Sequence, residues 1–202
     1  MARPRAFDND VALDAAVGCF WRRGLDATSV RDLAQEMGLS GPSLYNAFGD
    51  KRQLFLLALE RYAETTLRQR IMRHEAMPSA LQALTGFFDE IIDRSVGDPE
   101  RRGCLLINSA INAAPHDAGI ARAVAAYFAE IERFLHGRVL AARSTNEVPA
   151  TVDPRDTGRM LLGLLIGMRV LSRTGASKAE LQAMLRPALA TLRSPEPRAN
   201  AH

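Results

Sequence analysis

Cysteine is scarce in this chain: Cys19 and Cys104 are the only two in 202 residues. Two thiols so far apart make neither a disulfide framework nor a zinc pattern. Histidine is scarce as well. His74, His116, His136 and His202 are scattered without ligand spacing, so no metal site is expected. The sequence holds no G-x-S-x-G, P-loop or GxGxxG, and no acid–base pair or nucleophile constellation points to an enzyme. "GPSLY", Gly41 to Tyr45, lacks the second glycine of a nucleophile elbow. No cofactor is expected. Long apolar runs are missing too. "MLLGLLIGM", Met160 to Met168, falls far short of the ~20 residues that span a bilayer, and Arg159 and Arg169 flank it. No apolar signal-peptide core opens the chain. The expectation is a soluble, cytoplasmic protein with no membrane partner.

What is present is helical periodicity, with strand signals almost absent. The chain is 47% apolar and 24% charged, the balance of an ordinary globular protein. Its net charge of +3 forms no broad basic field, so any contact with phosphate is local. Nine helical segments are predicted, roughly over 8–23, 29–37, 41–48, 51–73, 79–95, 103–113, 118–142, 154–174 and 178–192. Pro187 should kink or end the last of them. The fold class is all-α. Residues 1–50 form a three-helix helix-turn-helix domain, 51–194 a helical ligand-binding and dimerisation domain, and 195–202 a disordered tail.

The segment "GLSGPSLYNAFGDK", Gly38 to Lys51, is the informative one. Gly38 ends one helix and Ser40 can cap the next. Gly41 and Pro42 then fall in a first turn, where a missing N–H costs nothing. Leu44 and Phe48 face inward and leave Ser43, Tyr45 and Asn46 looking out. Two helices joined by a short glycine-containing turn make a helix-turn-helix. Ser29 with Asp32, and Asp50 with Gln53, have the spacing of capping boxes.

The pattern "TSVRDLAQEMGLSGPSLYNAFGDKRQLF" resembles the DNA-binding domain of the TetR family of transcriptional regulators. The resemblance rests on Gly24, Thr28-Ser29, Leu33-Ala34, Gly38, Leu44-Tyr45, Phe48, Lys51 and Leu54-Phe55. It implies a homodimer whose ligand domain controls binding to a double-stranded DNA operator. The residue chemistry agrees. Asn46 can pair with adenine, Ser43 offers a small donor or acceptor, and Tyr45 can reach a phosphate or a thymine methyl. Thr28, Ser29, Ser40 and Lys51 are candidates near phosphate, and Arg3 and Arg5 can lie along the backbone or in a minor groove.

Beyond residue 51 the expectations are broader. An unknown small-molecule inducer would meet Phe87, Phe88, Ile91, Cys104, Leu105, Asn108, Tyr127 and Phe128. From Met160 to Leu171 only Gly163, Gly167 and Arg169 interrupt the apolar run, and a helix apolar on most sides must be covered on most sides. The expected dimer interface is Met160, Gly163, Leu164, Gly167 and Leu171, with Leu181, Leu185 and Leu189 from the last helix. Cys104 leaves two readings open. Arg101, Arg102 and a helix start beside it favour a reactive sensor of electrophiles or oxidants. The alternative is a small buried hydrophobe in a packing sequence. Cys19 lies on a core face and reads as structural.

Overall fold

The computed structural model describes residues 8–193, and every regular element among them is helical. Expectations for Arg3, Arg5 and the 195–202 tail lie outside those residues. Two compact units are formed: 8–68 with 104–127, and 69–103 with 128–193. The boundary expected after residue 50 falls inside the first unit.

The first unit contains α1 (Asn9–Arg23), α2 (Val30–Glu36), α3 (Gly41–Phe48), α4 (Lys51–Tyr62), a π-helical stretch (Ala63–Arg68) and α7 (Leu105–Asn112). A 3-10 turn (Ala114–His116) and the start of α8 (Ala118–Ser144) complete it. The caps follow the sequence. Ser29 and Asp32 close a capping box on α2, and Asp50 and Gln53 close another on α4. Ser40 accepts from the Ser43 N–H at the start of α3. Gly24 stops α1 with φ at 77°, a conformation that costs glycine least. The core is made by Phe20 and Phe55, edge to face at 4.9 Å, with Leu33, Leu44, Leu54 and Leu59 fully buried around them. Trp21 and Tyr62 form a second edge-to-face pair at 5.1 Å.

The helical path from Lys51 to Glu75 is unbroken, and with it taken as one element the described residues hold nine helices. The regular helix expected over 51–73 is not uniform, however. Its turn at Ala63–Arg68 widens to π geometry, and the Thr65 hydroxyl donates to the Arg61 carbonyl at 2.8 Å. Such a side-chain bond competes with the regular ladder.

The second unit contains α5 (Gln69–Glu75), α6 (Ala80–Val96), the rest of α8, α9 (Pro154–Arg173) and α10 (Lys178–Ala190). Phe87 packs at 4.8 Å from Phe134 and edge-on to His74. Gly158 lies against the backbone of α8: a Cβ there would stand 3.1 Å from the His136 nitrogen. Arg169 donates to the Ser95 hydroxyl at 2.6 Å and to the Gly103 carbonyl, which holds the loop after α6 to α9. α10 continues three residues past Pro187 to Ala190, so the proline does not end it.

Glu147, just after α8, caps α6 from a distance. Its carboxylate accepts from the Ser79 hydroxyl and from the Ala80 and Leu81 amides, each at 3.2 Å. The Ser79 hydrogen bond is the main reason its pKa lies below the ordinary glutamate value. The folded carboxylate therefore contributes stability above the unfolded glutamate pKa, and loses it as acid titrates the folded group. Glu147→Gln should cost about 1 kcal/mol at neutral pH and flatten the loss of stability in acid. Urea denaturation from neutral to acidic pH measures both.

A candidate nucleic-acid interface

α3 has eight residues, and its two sides differ sharply. Leu44 and Phe48 are buried, while Pro42, Ser43, Tyr45, Asn46 and Ala47 are exposed. Tyr45 keeps 51% of its surface. A Cβ added at Gly41 would meet nothing within 4 Å, so the first turn of α3 is open to close approach. The Ser40 and Ser43 hydroxyls share one hydrogen bond at 2.8 Å. Each hydroxyl carries one proton, so the pair keeps one donor for an incoming partner.

The expected phosphate contacts divide. Ser29 is exposed, but its hydroxyl donates to Asp32 at 2.8 Å and accepts from the Asp32 amide at 3.1 Å. Its only proton is thus spent on the capping box. Asp32 is held below its ordinary pKa chiefly by that Ser29 hydrogen bond, and Arg23 pairs with it at 3.1 Å. Thr28 is corrected from contact to scaffold: it is 1% exposed, and its hydroxyl donates to the Gly24 carbonyl at 2.6 Å. That bond ties the residue before the α2 cap to the end of α1.

Lys51 has a double role. Its ammonium donates to the carbonyls of Leu25 and Thr28 at 3.0 and 3.1 Å. One proton of three remains for a phosphate. The lysine pins the α1–α2 loop to the start of α4, and so sets α2 against α4.

Two further cations, both expected to face outward, lie near this surface. Arg31 is exposed on α2. Arg52, in the first turn of α4, is held by both carboxylate oxygens of Asp117. Asp117 precedes α8, and its Oδ1 accepts from the Gly119 and Ile120 amides at 2.8 and 3.0 Å. An Asp before "AGIARAV" is legible as a helix cap. Its partner 65 residues away leaves no local signal.

The expected effector contacts split between the two units. Phe87, Phe88 and Ile91 are closed into the core of the second, and Phe128 is half-buried there. In the first, Leu105 and Tyr127 are buried, while Cys104 and Asn108 are half-buried. The Tyr127 hydroxyl donates to Glu60 at 2.7 Å. A cavity of about 270 Å³ lies elsewhere, between α6 and α10, lined by Asp89, Gln182, Leu185, Arg186, Leu189 and Arg193. None of the eight expected residues lines it.

On α9, Met160 and Leu171 keep 44% and 41% of their surface, Gly163 is exposed, and Leu164 and Gly167 are half-buried. Leu161, Leu165 and Met168 line the opposite, buried side. Leu181 and Leu185, expected at an interface, are instead 1% and 3% exposed within the chain itself. They face the core because α10 packs on both α6 and α9. Leu189 is half-buried at the cavity.

Two short helices that hold an outward polar side on a covered apolar one define a helix-turn-helix DNA-binding regulator. Comparison with known proteins narrows the class. Residues 12–58 match the family model described as bacterial regulatory proteins, tetR family, and residues 80–188 match the tetracyclin repressor-like C-terminal domain. The chain is 32% identical over 184 residues to the HTH-type transcriptional repressor ComR of Escherichia coli K12, covering 89% of this chain and 86% of ComR. It is 34% identical over 180 residues to the HTH-type transcriptional regulator YezE of Bacillus subtilis, covering 88% and 90%. Among solved structures, a cysteine mutant of the TetR family regulator CifR, in complex with 26-base-pair operator DNA, matches with a TM-score of 0.83 and 31% identity. That match covers 93% of this chain and 98% of CifR. The chain belongs to the TetR family of DNA-binding transcriptional regulators. Among the described residues no helix is long and apolar enough to cross a membrane.

Lys51→Met should leave the Leu25 and Thr28 carbonyls without their shared donor. Urea denaturation should register a loss of about 1–3 kcal/mol, alongside weaker binding to duplex DNA. Unchanged stability would mean that the lysine does not pin the loop.

Proposed function

We propose that this chain is a homodimeric repressor, acting in the cytoplasm, that is released from a palindromic operator by a small molecule. The observation that carries the reading is the exposed polar side of α3, with Ser43, Tyr45 and Asn46 turned away from a core that takes Leu44 and Phe48. One such helix covers few base pairs. Two copies, about 34–36 Å apart, meet successive major grooves. The uncovered stripe of α9 (Met160, Gly163, Leu164, Gly167 and Leu171) supplies the surface for pairing. A two-fold contact places the same stripe on both partners. Relatives that are transcriptional repressors, ComR among them, support the sign of regulation. The effector acts by binding the operator-competent and released forms with different affinity.

Gel shift or fluorescence anisotropy on the chain's own upstream DNA tests the reading. Tyr45→Ala should weaken binding about tenfold, or about 1.4 kcal/mol, with thermal stability unchanged. Equal affinity of the variant and the parent for the operator removes Tyr45 from the interface. For the pairing surface, Met160→Glu combined with Leu171→Glu should give a monomer by sedimentation and lose operator binding. A dimer that persists in that variant assigns the contact to another face.

A second reading concerns the thiol. Cys104 is half-buried at the N-cap of α7 and makes no capping bond, while the Tyr62 hydroxyl donates to its sulfur at 3.7 Å. Arg102, expected to activate it, is bound to Asp98 at 3.1 Å and Glu100 at 3.3 Å. Cys19 is buried, and burial pushes its thiol up in pKa. Labelling of native protein separates the cases. A Cys104 that reacts no faster than free cysteine, or whose modification leaves DNA binding intact, ends the sensor reading.

A further inference from the structure

Arg52 stands four residues past the end of α3, beside Lys51, in the unit that carries the helix-turn-helix. Its side chain keeps 47% of its surface, but the guanidinium is engaged. Asp117 offers its planar guanidinium fork two oxygens, as a phosphate also can. We propose that Asp117 is an internal stand-in for phosphate, which withholds Arg52 from the DNA backbone until the α7–α8 junction moves.

Three observations converge on this. The contact is bidentate: the Nε edge of the guanidinium, two of its five N–H donors, is given to one partner. The arginine tip also lies over Gly119: a Cβ there would come 2.2 Å from Arg52 Nη2, so a side chain at 119 would displace the tip from its present seat. Finally, Asp117 is set by other bonds. The Gly119 and Ile120 amides hold its Oδ1, so the carboxylate's position belongs to the start of α8 and to the 3-10 turn before it. The other charge acting on Arg52 is Asp50, the α4 cap, which favours the charged guanidinium as Asp117 does. Asp117 itself is held well below the carboxylate range, first by the Arg52 hydrogen bond and then by the Ile120 amide. It stays an anion wherever the protein is folded near neutral pH.

The segment 104–127 belongs to the same compact unit as the helix-turn-helix. Arg52–Asp117 and Tyr127–Glu60 are two ties between α4 and that segment, and Glu60 also receives Arg68 from the π-helical stretch. A displacement of the α7–α8 junction therefore acts on α4 at its first turn and again near its last. At the first turn it would also release a cation.

The test separates charge from capping. Asparagine caps a helix about as well as aspartate, so Asp117→Asn keeps the start of α8 and removes the salt bridge. Binding of the full chain to a mixed-sequence duplex is followed by anisotropy across a fourfold range of salt, for the parent, Asp117→Asn, Arg52→Gln and the double variant. Circular dichroism confirms that each is folded. Asp117→Asn should bind tighter at low salt, and its log–log salt slope should steepen by about 0.9 per protomer. That corresponds to an extra ~3.5-fold loss of affinity across the range. Arg52→Gln should keep the parent's slope, because its cation does not reach phosphate in the parent. The double variant should lose the gain. A flatter slope in Arg52→Gln alone overturns the proposal, because Arg52 would then already contact DNA. So does a gain from Asp117→Asn that survives in the double variant, which would reflect general charge rather than Arg52. An unchanged slope in Asp117→Asn overturns it too.

Discussion

A helix of two turns does not hold its shape in water, where even good sequences need ~12–15 residues to be marginally helical. α3 has eight. Its existence depends on the burial of Leu44 and Phe48, together with the Ser40 cap and the Gly49 stop. That burial in turn requires α1, α2 and α4 in place, which is why so many bonds in the first unit are spent on loops. Thr28 to Gly24, Lys51 to Leu25 and Thr28, and the two capping boxes all fix where α3 sits. The polar side faces outward because the apolar side is fully engaged.

This arrangement explains why residues of similar chemistry end in different roles. Thr28, Ser29, Ser40 and Ser43 all carry hydroxyls close to the candidate interface. Thr28 is closed inside, Ser29 has spent its proton on Asp32, and Ser40 and Ser43 keep one proton between them. Lys51 and Arg52 are adjacent cations at one helix start, yet one is a strut for a loop and the other is paired with a carboxylate.

The parts of the molecule legible in the sequence were those governed by neighbours in the chain. Helix starts at Ser29 and Asp50 follow from residues three apart, the start at Ser40 from its place after Gly38, and the inward side of α3 from residues four apart. What escaped was set at long range. Nothing near Thr28 announces that Lys51 will claim its carbonyl, and nothing near Arg52 announces Asp117. The π turn at Ala63–Arg68 interrupts a stretch with ordinary helical periodicity. On α9 the excess of apolar residues was plain, but a helix apolar nearly all round does not reveal which leucines face the core. On α10 the stripe of Leu181 and Leu185 looks like an interface in sequence and is consumed by α6 and α9 in the fold.

Gly158 gives the uncovered stripe of α9 a further property. The separation of α8 and α9 at that level is set by the absence of a single methyl group, since a Cβ would press on the His136 backbone. Met160 and its neighbours follow two residues later on the same rigid rod. A side chain at position 158 would require the His136 backbone to give by a few tenths of an ångström. The exposed positions of α9 can thus change side chain freely, while the spacing of its inner side from α8 is kept by glycine at one turn.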